Sequence, residues 1–459
     1  MIKNIIYLAF SLVCICSCTL NIPPADQYSD PDAISDVKSA RSLLTSAYML
    51  YPHYEFELSV LADDFCQTSL IGYNVDLKNL YLWREDKITQ IAETMWLNYY
   101  NTIANCDILL ERMSNVITSN ATEEAEKQAI YAEARTLRAM CYFSLLRLFA
   151  PSYDTNPDAD GIILKSQAGL EFPPRTSIRK CVEFIRNELD EVSGIDNTPT
   201  ANGWLSRNAV TYMLAELELY AGNYLQAAAY AEEILKHASE DMYRNNIKLW
   251  SEENFEGRIF AFFHSGSYYN DIQYKEKEGD YFGINPDLVF HDNDNRKDFT
   301  LYNYSIDGEE RVLFGKYNKN NKEGIKNIYI NTMRYAGAVF IAAESYSRIS
   351  DKEEMALKLI NSYLQACGAE TLPASLKREK LTNEILKEKK KEFLGEGVNY
   401  FDHKRIHTAQ LERKELWGKG TVSVIYSNDF RWTFPIPRSE YRYNENVSQN
   451  EGWSNIVKK

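Results

Sequence analysis

The chain has 459 residues, 25% of them charged, and a formal net charge of −14 at pH 7. It is acidic and has no basic stripe, which excludes a nucleic-acid partner held by phosphate contacts and adhesion to anionic lipid by charge. The length would ordinarily suggest two or more domains, but no Gly/Ser- or Pro-rich linker divides the interior, so one large helical body is expected.

Residues 1–17 read as a signal peptide. Lys3 supplies one positive charge, and Ile5 to Ile15 is almost wholly apolar, with the length of a signal h-region. Ser17 then precedes Cys18. A small residue before a cysteine is what a lipoprotein signal peptidase cuts, and the Cys18 thiol would take the lipid. Cleavage would remove Lys3 alone among the charged side chains. No other stretch approaches the ~18 uninterrupted apolar residues a span requires. Residues 18–36, rich in proline and aspartate, read as a lipidated tether.

Helical periodicity begins after the tether. Val37 to Leu50 is amphipathic and ends before Tyr51-Pro52. Thr89 to Val116 carries Met95, Trp96, Tyr99, Ile103, Cys106 and Leu109 at helical spacing. Thr122 to Phe149 follows, opened by Thr122 and closed by Ala150-Pro151, and Arg175-Thr176-Ser177 starts a helix that runs to Val192. Arg207 to His237 reads as two helices back to back, broken at Ala221-Gly222-Asn223, with Ala227, Ala228 and Ala231 small enough for close approach. The pattern returns over residues 335–363. Without a gap, Tyr212 aligns with Phe340, Glu216 with Glu344, Asn223 with Asp351 and Ala228 with Ala356. Such hairpins are tetratricopeptide-like and stack, because one alone cannot bury its apolar face. Leu381 to Leu394 is the last long helix. Residues 255–329 change character to short alternating pieces and loops, and residues 417–453 read as irregular. The fold class is therefore mainly α, with three parts in one body at about 37–250, 255–330 and 331–459.

Cys66, Cys106, Cys141, Cys181 and Cys367 are scattered and odd in number, and buried free thiols explain them better than a disulfide framework or a zinc site. Catalytic constellations are missing: there is no Gly-x-Ser-x-Gly, phosphate loop or HExxH. His403 and His407 stand at a metal-pair spacing but sit in an ordinary helical context. Asp63-Asp64 could serve acid–base chemistry, yet acidic pairs are common in so acidic a chain. Asp292-Asn293-Asp294-Asn295 spaces oxygen ligands like a calcium loop but lacks the glycine and the closing glutamate, so a solvated turn is expected, with no cofactor.

The chain has 32 tyrosines and seven tryptophans. Aromatic rings outside helical stripes are candidates for a ligand surface, since a ring offers an apolar face and, in tyrosine, a polar edge. Two clusters qualify. One is Tyr73, Tyr81 and Trp83, with Asn74 and Asp76 beside it. The other is Tyr268, Tyr269, Tyr281, Tyr302 and Tyr304, with Asn270 and Asp271. Packing against the helical body is the competing explanation for each ring.

Three stretches together resemble the SusD/RagB family of Bacteroidetes outer-membrane lipoproteins. They are AEARTLRAMCYFSLLRLFAPSY, MRYAGAVFIAAESYSRI with its hairpin partner, and EILKEKKKEFLGEGVNYFDHKRI paired with FPIPRSEYRYNENVSQNEGW. Glu388-Lys389-Lys390, Glu392-Phe393, Glu396-Gly397 and Asp402-His403-Lys404-Arg405 occupy the family's Glu-Arg-Arg, Glu-Phe, Glu-Gly and Asp-Leu-Lys-Arg places, with lysines for the arginine pair and histidine for leucine. The resemblance implies a cell-surface protein that is lipid-anchored and not enzymatic. It would be a binding protein acting as a lid on a SusC-like TonB-dependent barrel in the outer membrane, and a glycan is the first reading of its ligand. Peptide capture by the same architecture is the second reading, a lipid-anchored glycosidase the third and a ligand-free scaffold the fourth.

Overall fold

The computed structural model describes residues 34–69, 75–196, 203–252, 255–263, 282–306, 308–316 and 329–453. α1 spans Val37–Leu50, as its apolar spacing predicts. Asp36 caps it. Its carboxylate accepts from the Ser39 amide at 2.7 Å, and its own amide donates to Ser39 Oγ at 3.3 Å. Two of the donors that a helix start leaves unpaired are thereby satisfied. α2 (Glu55–Leu61), α3 (Val75–Tyr81) and α4 (Glu85–Arg112) follow. α4 starts four residues before the predicted Thr89 and ends in a 3-10 turn at Met113–Asn115. α5 (Ala121–Phe149) opens on Asn120 rather than Thr122, because the Asn120 side chain accepts from the Glu123 amide at 3.0 Å. α6 is Ile178–Ser193.

The two hairpins form where the repeat predicts them. α7 (Arg207–Tyr220) and α8 (Tyr224–Leu235) make the first; α9 (Tyr335–Ser347) and α10 (Glu353–Ala366) make the second. α8 packs on α9, which joins the pair into one stack. Their turns differ. The first places Gly222 in the left-handed region at φ +76°, and the longer second one places Asp351 there at φ +65°. Close approach rests on Gly337, where an added Cβ would lie 2.0 Å from the Tyr212 hydroxyl. α11 (Arg378–Glu392) and α12 (Val398–Arg405) complete the helical body.

The strands gather from distant parts of the chain. β1 (Phe65–Thr68), β3 (Phe282–Ile284), β4 (Leu301–Ile306), β5 (Glu309–Phe314), β7 (Gln410–Leu416) and β8 (Gly420–Tyr426) form one sheet in the order β4-β5-β3-β1-β7-β8. β2 (Arg258–Phe263) and β6 (Tyr329–Arg334) pair separately. Residues 417–453 are irregular as expected apart from β8, which pairs with β7 in a hairpin, and short helical turns at Phe430–Trp432 and Arg438–Tyr441. Among the described residues no helix is long and apolar enough to cross a membrane.

The stretch from Glu388 to Arg405 is a set of internal struts. Arg334 bonds Glu396 at 2.8 Å and also pairs with Glu392; buried Lys316 reaches Glu396 at 2.7 Å. Arg296 joins Asp294 and Glu388, each at 2.7 Å. Lys389 meets Asp402 at 2.8 Å, and Arg405 meets Glu344 at 2.7 Å. Lys404 donates to the carbonyls of Arg147 at 2.7 Å and Ala150 at 2.8 Å, closing the C-terminal end of α5 where a cation is favoured. The tail straps the same end: Asn450 Nδ2 donates to the Phe149 carbonyl at 2.8 Å and the Phe434 carbonyl at 2.6 Å. The turn at 292–295 is solvated at Asp292 and Asn293, as expected, but not at Asp294. Asp294 is 1% exposed, its carboxylate taken up by Arg296.

Candidate functional site

The first aromatic cluster turns inward. Trp83 is fully buried in the loop between α3 and α4, at φ +55°. Its indole N–H donates to the Leu61 carbonyl at 2.9 Å, and its ring meets Trp432 edge-on at 4.7 Å. Tyr81 is buried as well. Its hydroxyl donates to the Lys414 carbonyl at 3.0 Å and accepts from the Lys414 amide at 2.8 Å, while Arg413 covers its ring at 4.3 Å. Neither ring presents a face outward, which corrects the expectation that they form a ligand surface. The cause is tertiary: Lys414 and Trp432, which close over them, lie more than 300 residues away in sequence. Asp76 is exposed and 3.2 Å from Lys87. Tyr73, Asn74, Tyr268, Tyr269, Tyr281, Asn270 and Asp271 lie outside the described residues, as does Cys18.

The second cluster is represented by Tyr302 and Tyr304, which the structure brings together on β4, the edge strand of the large sheet. Residues i and i+2 of a strand share a face, and these two rings lie 5.7 Å apart, tilted by 32°. Both pack on the core with one side and are partly exposed on the other. Tyr304 sits opposite Arg311 in the β4–β5 ladder. The Arg311 guanidinium lies 4.4 Å over the ring of Trp417, in the turn between β7 and β8. That turn comes within reach because Gly283 leaves room above β3. An added Cβ there would lie 2.6 Å from the Leu416 side chain.

Tyr302, Tyr304, Arg311 and Trp417 thus form one patch of flat apolar faces with hydrogen-bonding edges, held by two hairpins. Burial, then the neighbouring Tyr304, raises the Tyr302 hydroxyl pKa, so this edge is neutral at physiological pH. Sequence reasoning missed Trp417 and Arg311. Trp417 had a usable signal, a lone tryptophan before Gly418 in an apparent turn; Arg311 had none, because only strand register places it there.

The remaining candidates are occupied by the fold. Asp63 meets His403 Nε2 at 2.7 Å and also pairs with Lys390. Burial alone would raise the Asp63 carboxyl, but Lys390 and His403 hold it far below the usual range. Asp64 accepts from Asn399 at 2.6 Å and from the Gly395 amide at 2.9 Å, and burial pushes its pKa up to about 6. His407 faces Asp154 at 3.0 Å, so the two histidines point to different carboxylates. Among the described residues no group of three or more His, Cys, Asp or Glu side chains is placed to hold a metal ion. Cys66, Cys106, Cys141, Cys181 and Cys367 are all buried free thiols.

Comparison with known proteins bears on the whole body. Residues 184–453, more than half of the chain, match the family model described as the SusD family. Residues 25–199 match one described as starch-binding associating with outer membrane. A SusD superfamily protein from Bacteroides thetaiotaomicron superposes with a TM-score of 0.76 at 22% identity, covering 90% of this chain and 99% of that one. A SusD-like carbohydrate binding protein from Bacteroides vulgatus superposes with a TM-score of 0.75 at 18% identity, covering 90% and 98%. A second SusD superfamily protein from Bacteroides vulgatus gives 0.77 at 17% identity, covering 91% and 99%. At these identities the structural likeness is one of fold. No curated protein matches the chain.

Proposed function

The chain belongs to the SusD family, and from that premise we propose that it is a lipid-anchored protein that binds a glycan at the outer membrane and passes it to a SusC-like TonB-dependent barrel. The observation that carries the glycan is the half-covered patch of Tyr302, Tyr304 and Trp417 with Arg311 at its edge. Sugar rings present C–H faces that stack on aromatic rings, and their hydroxyls suit the phenol and guanidinium edges. Rings already packed on one side lose little freedom on binding. Tyr268, Tyr269 and Tyr281 belong to the same proposal through their sequence neighbourhood. The reading is also supported by the carbohydrate-binding relative of like fold and by the starch-binding family description over residues 25–199. No catalytic step is part of it.

The test is calorimetric titration of the mature chain against a panel of host and plant glycans. Tyr304→Ala and Trp417→Ala should each weaken binding several-fold, corresponding to about 1 kcal/mol per stacking ring. Binding equal to that of the parent in both variants would remove this patch as the site. Binding of peptides and of no glycan would transfer the same patch to peptide capture.

A further inference from the structure

A cavity of about 140 Å³ lies where the N-terminal helices meet the C-terminal ones, with none of the four aromatic-patch residues in its lining. Three side chains in its wall carry polar atoms for which no hydrogen bond is seen among the described residues. Arg147, on α5, is sandwiched: its guanidinium lies 4.1 Å over the ring of Phe143 and 4.0 Å over that of Phe401. The two rings fix its plane, yet its Nε has no hydrogen-bond partner among the described residues. Tyr220, on α7, is only 8% exposed, and its hydroxyl has none either. Glu216, one turn before it, lines the same cavity. Burial raises the Glu216 carboxyl, with Arg147 foremost among the charges that oppose the rise, and no hydrogen bond to it is seen among the described residues.

The repeat makes Glu216 informative. Its counterpart in the second hairpin, Glu344, accepts from Arg348 at 3.0 Å and from Arg405 at 2.7 and 2.9 Å. The other charges lining the cavity have partners: Asp402 takes Lys389 and Arg405, Glu396 takes Lys316, Glu55 lies 3.4 Å from His53, and Lys404 donates to the carbonyls of Arg147 and Ala150. Among the described residues, one guanidinium nitrogen, one carboxylate and one hydroxyl of the lining are left with no hydrogen bond seen. Buried polar groups are almost always satisfied, because an orphan costs its full desolvation energy. At about 30 Å³ per water the space holds roughly five waters, the volume of a small amino acid. A guanidinium preorganised between two rings and a carboxylate close enough to feel its charge, neither seen to be hydrogen-bonded by a described residue, suit a ligand that itself carries both signs.

We propose that this cavity is a second ligand site, separate from the glycan patch, that takes a small zwitterion of the amino-acid class. Its carboxylate meets Arg147, its ammonium meets Glu216, and a polar side group meets Tyr220.

The mature chain is titrated with glycine, L-serine and L-glutamine, and with N-acetylserine and serine methyl ester, which each lack one charge. At least one free amino acid is expected to bind, and the blocked forms about tenfold more weakly or worse. Arg147→Met keeps an apolar stem between the rings, and Glu216→Gln keeps the shape of the carboxylate. Each should weaken amino-acid binding about tenfold or more and leave glycan binding as it was. Thermal melts confirm that the variants fold, and Glu216→Gln carries the test alone if Arg147→Met does not. The proposal is overturned if no free amino acid binds the folded parent, if the blocked forms bind equally well, or if Glu216→Gln binds like the parent. A crystal soaked in L-serine that shows only water in the cavity also overturns it. Glycan titration of the same samples keeps a failure here distinct from a failure of the glycan reading.

Discussion

Trp83 is held on several sides: Leu61 accepts its N–H, Trp432 meets its ring, and the Arg431 guanidinium donates to its own carbonyl at 2.5 Å. Trp83→Ala leaves a cavity beside Trp432, although the Leu61 carbonyl keeps its bond from Arg413 at 2.9 Å, so it should destabilise by about 3 kcal/mol or more. The paired measurement is a thermal melt and a glycan titration; weaker glycan binding with an unchanged melt would return Trp83 to the ligand surface. Asp402 shows how the struts respond to pH. Burial acts to raise its carboxyl, but Lys389 and Arg405 together hold it well below the usual range. A carboxylate whose folded pKa is depressed contributes stability that is fully present above its unfolded value of about 4 and is lost as pH falls toward the folded one. Asp402→Asn should therefore cost about 3 kcal/mol at neutral pH, and its gap to the parent should narrow below pH of about 4. Urea melts at neutral and acid pH read this directly, and a gap that stays constant would show that the charge is not what contributes.

At the scale of elements, the two hairpins meet through small residues. Gly337 on α9 faces the Tyr212 hydroxyl on α7 with no room for a methyl group, so Gly337→Ala must displace one helix or the other. The expected loss is about 2 kcal/mol, the ordinary cost of overpacking. Tyr212→Phe in the same chain removes the atom nearest the clash and should recover part of that loss, a non-additivity that a double-mutant cycle measures. Gly222→Ala meets open space but must adopt φ +76°. It should cost about 1 kcal/mol, whatever residue stands at 212. If Tyr212→Phe recovers nothing for Gly337→Ala, the crossing is not what limits the substitution.

At the scale of the whole molecule, one sheet sews the chain together. β1 lies between β3 and β7, so residues near 66, 283 and 415 form adjacent strands. Both hairpins of the aromatic patch belong to that sheet, and its geometry therefore depends on both ends of the chain. On the proposed reading the body hangs from Cys18 beside a barrel. Cys18→Ala should move the protein from the membrane to the soluble fraction. Gentle detergent extraction with a C-terminal tag should recover the parent with its barrel, through an interface above ~2,000 Å². A variant still lipid-labelled and membrane-bound, or a parent recovered alone while the barrel is expressed, would count against the respective half of that reading.

Sequence by itself determined the helical body and its repeat. Periodicity, caps and small residues at helix crossings act over a few residues, and they locate α1 at the observed bounds and both hairpins at their turns. Motif order carried the family, because Glu388 to Arg405 keeps the spacing its ion pairs require. The β7–β8 hairpin, the short α12 and the burial of Asp294 were not read from the sequence: β7 and β8 are neighbours and Asp294 meets Arg296 two residues on, but the contacts that draw them into the body, β1 beside β7 and Glu388 on Arg296, are remote in sequence. The site split the same way. Tyr302 and Tyr304 alternate on one strand and could be read locally, whereas burial of Trp83 by Trp432 and coverage of Trp417 by Arg311 are decided only when distant strands and loops come into register. Whether an aromatic residue outside a helix is core or surface depends on what packs over it, and tertiary structure alone supplies that.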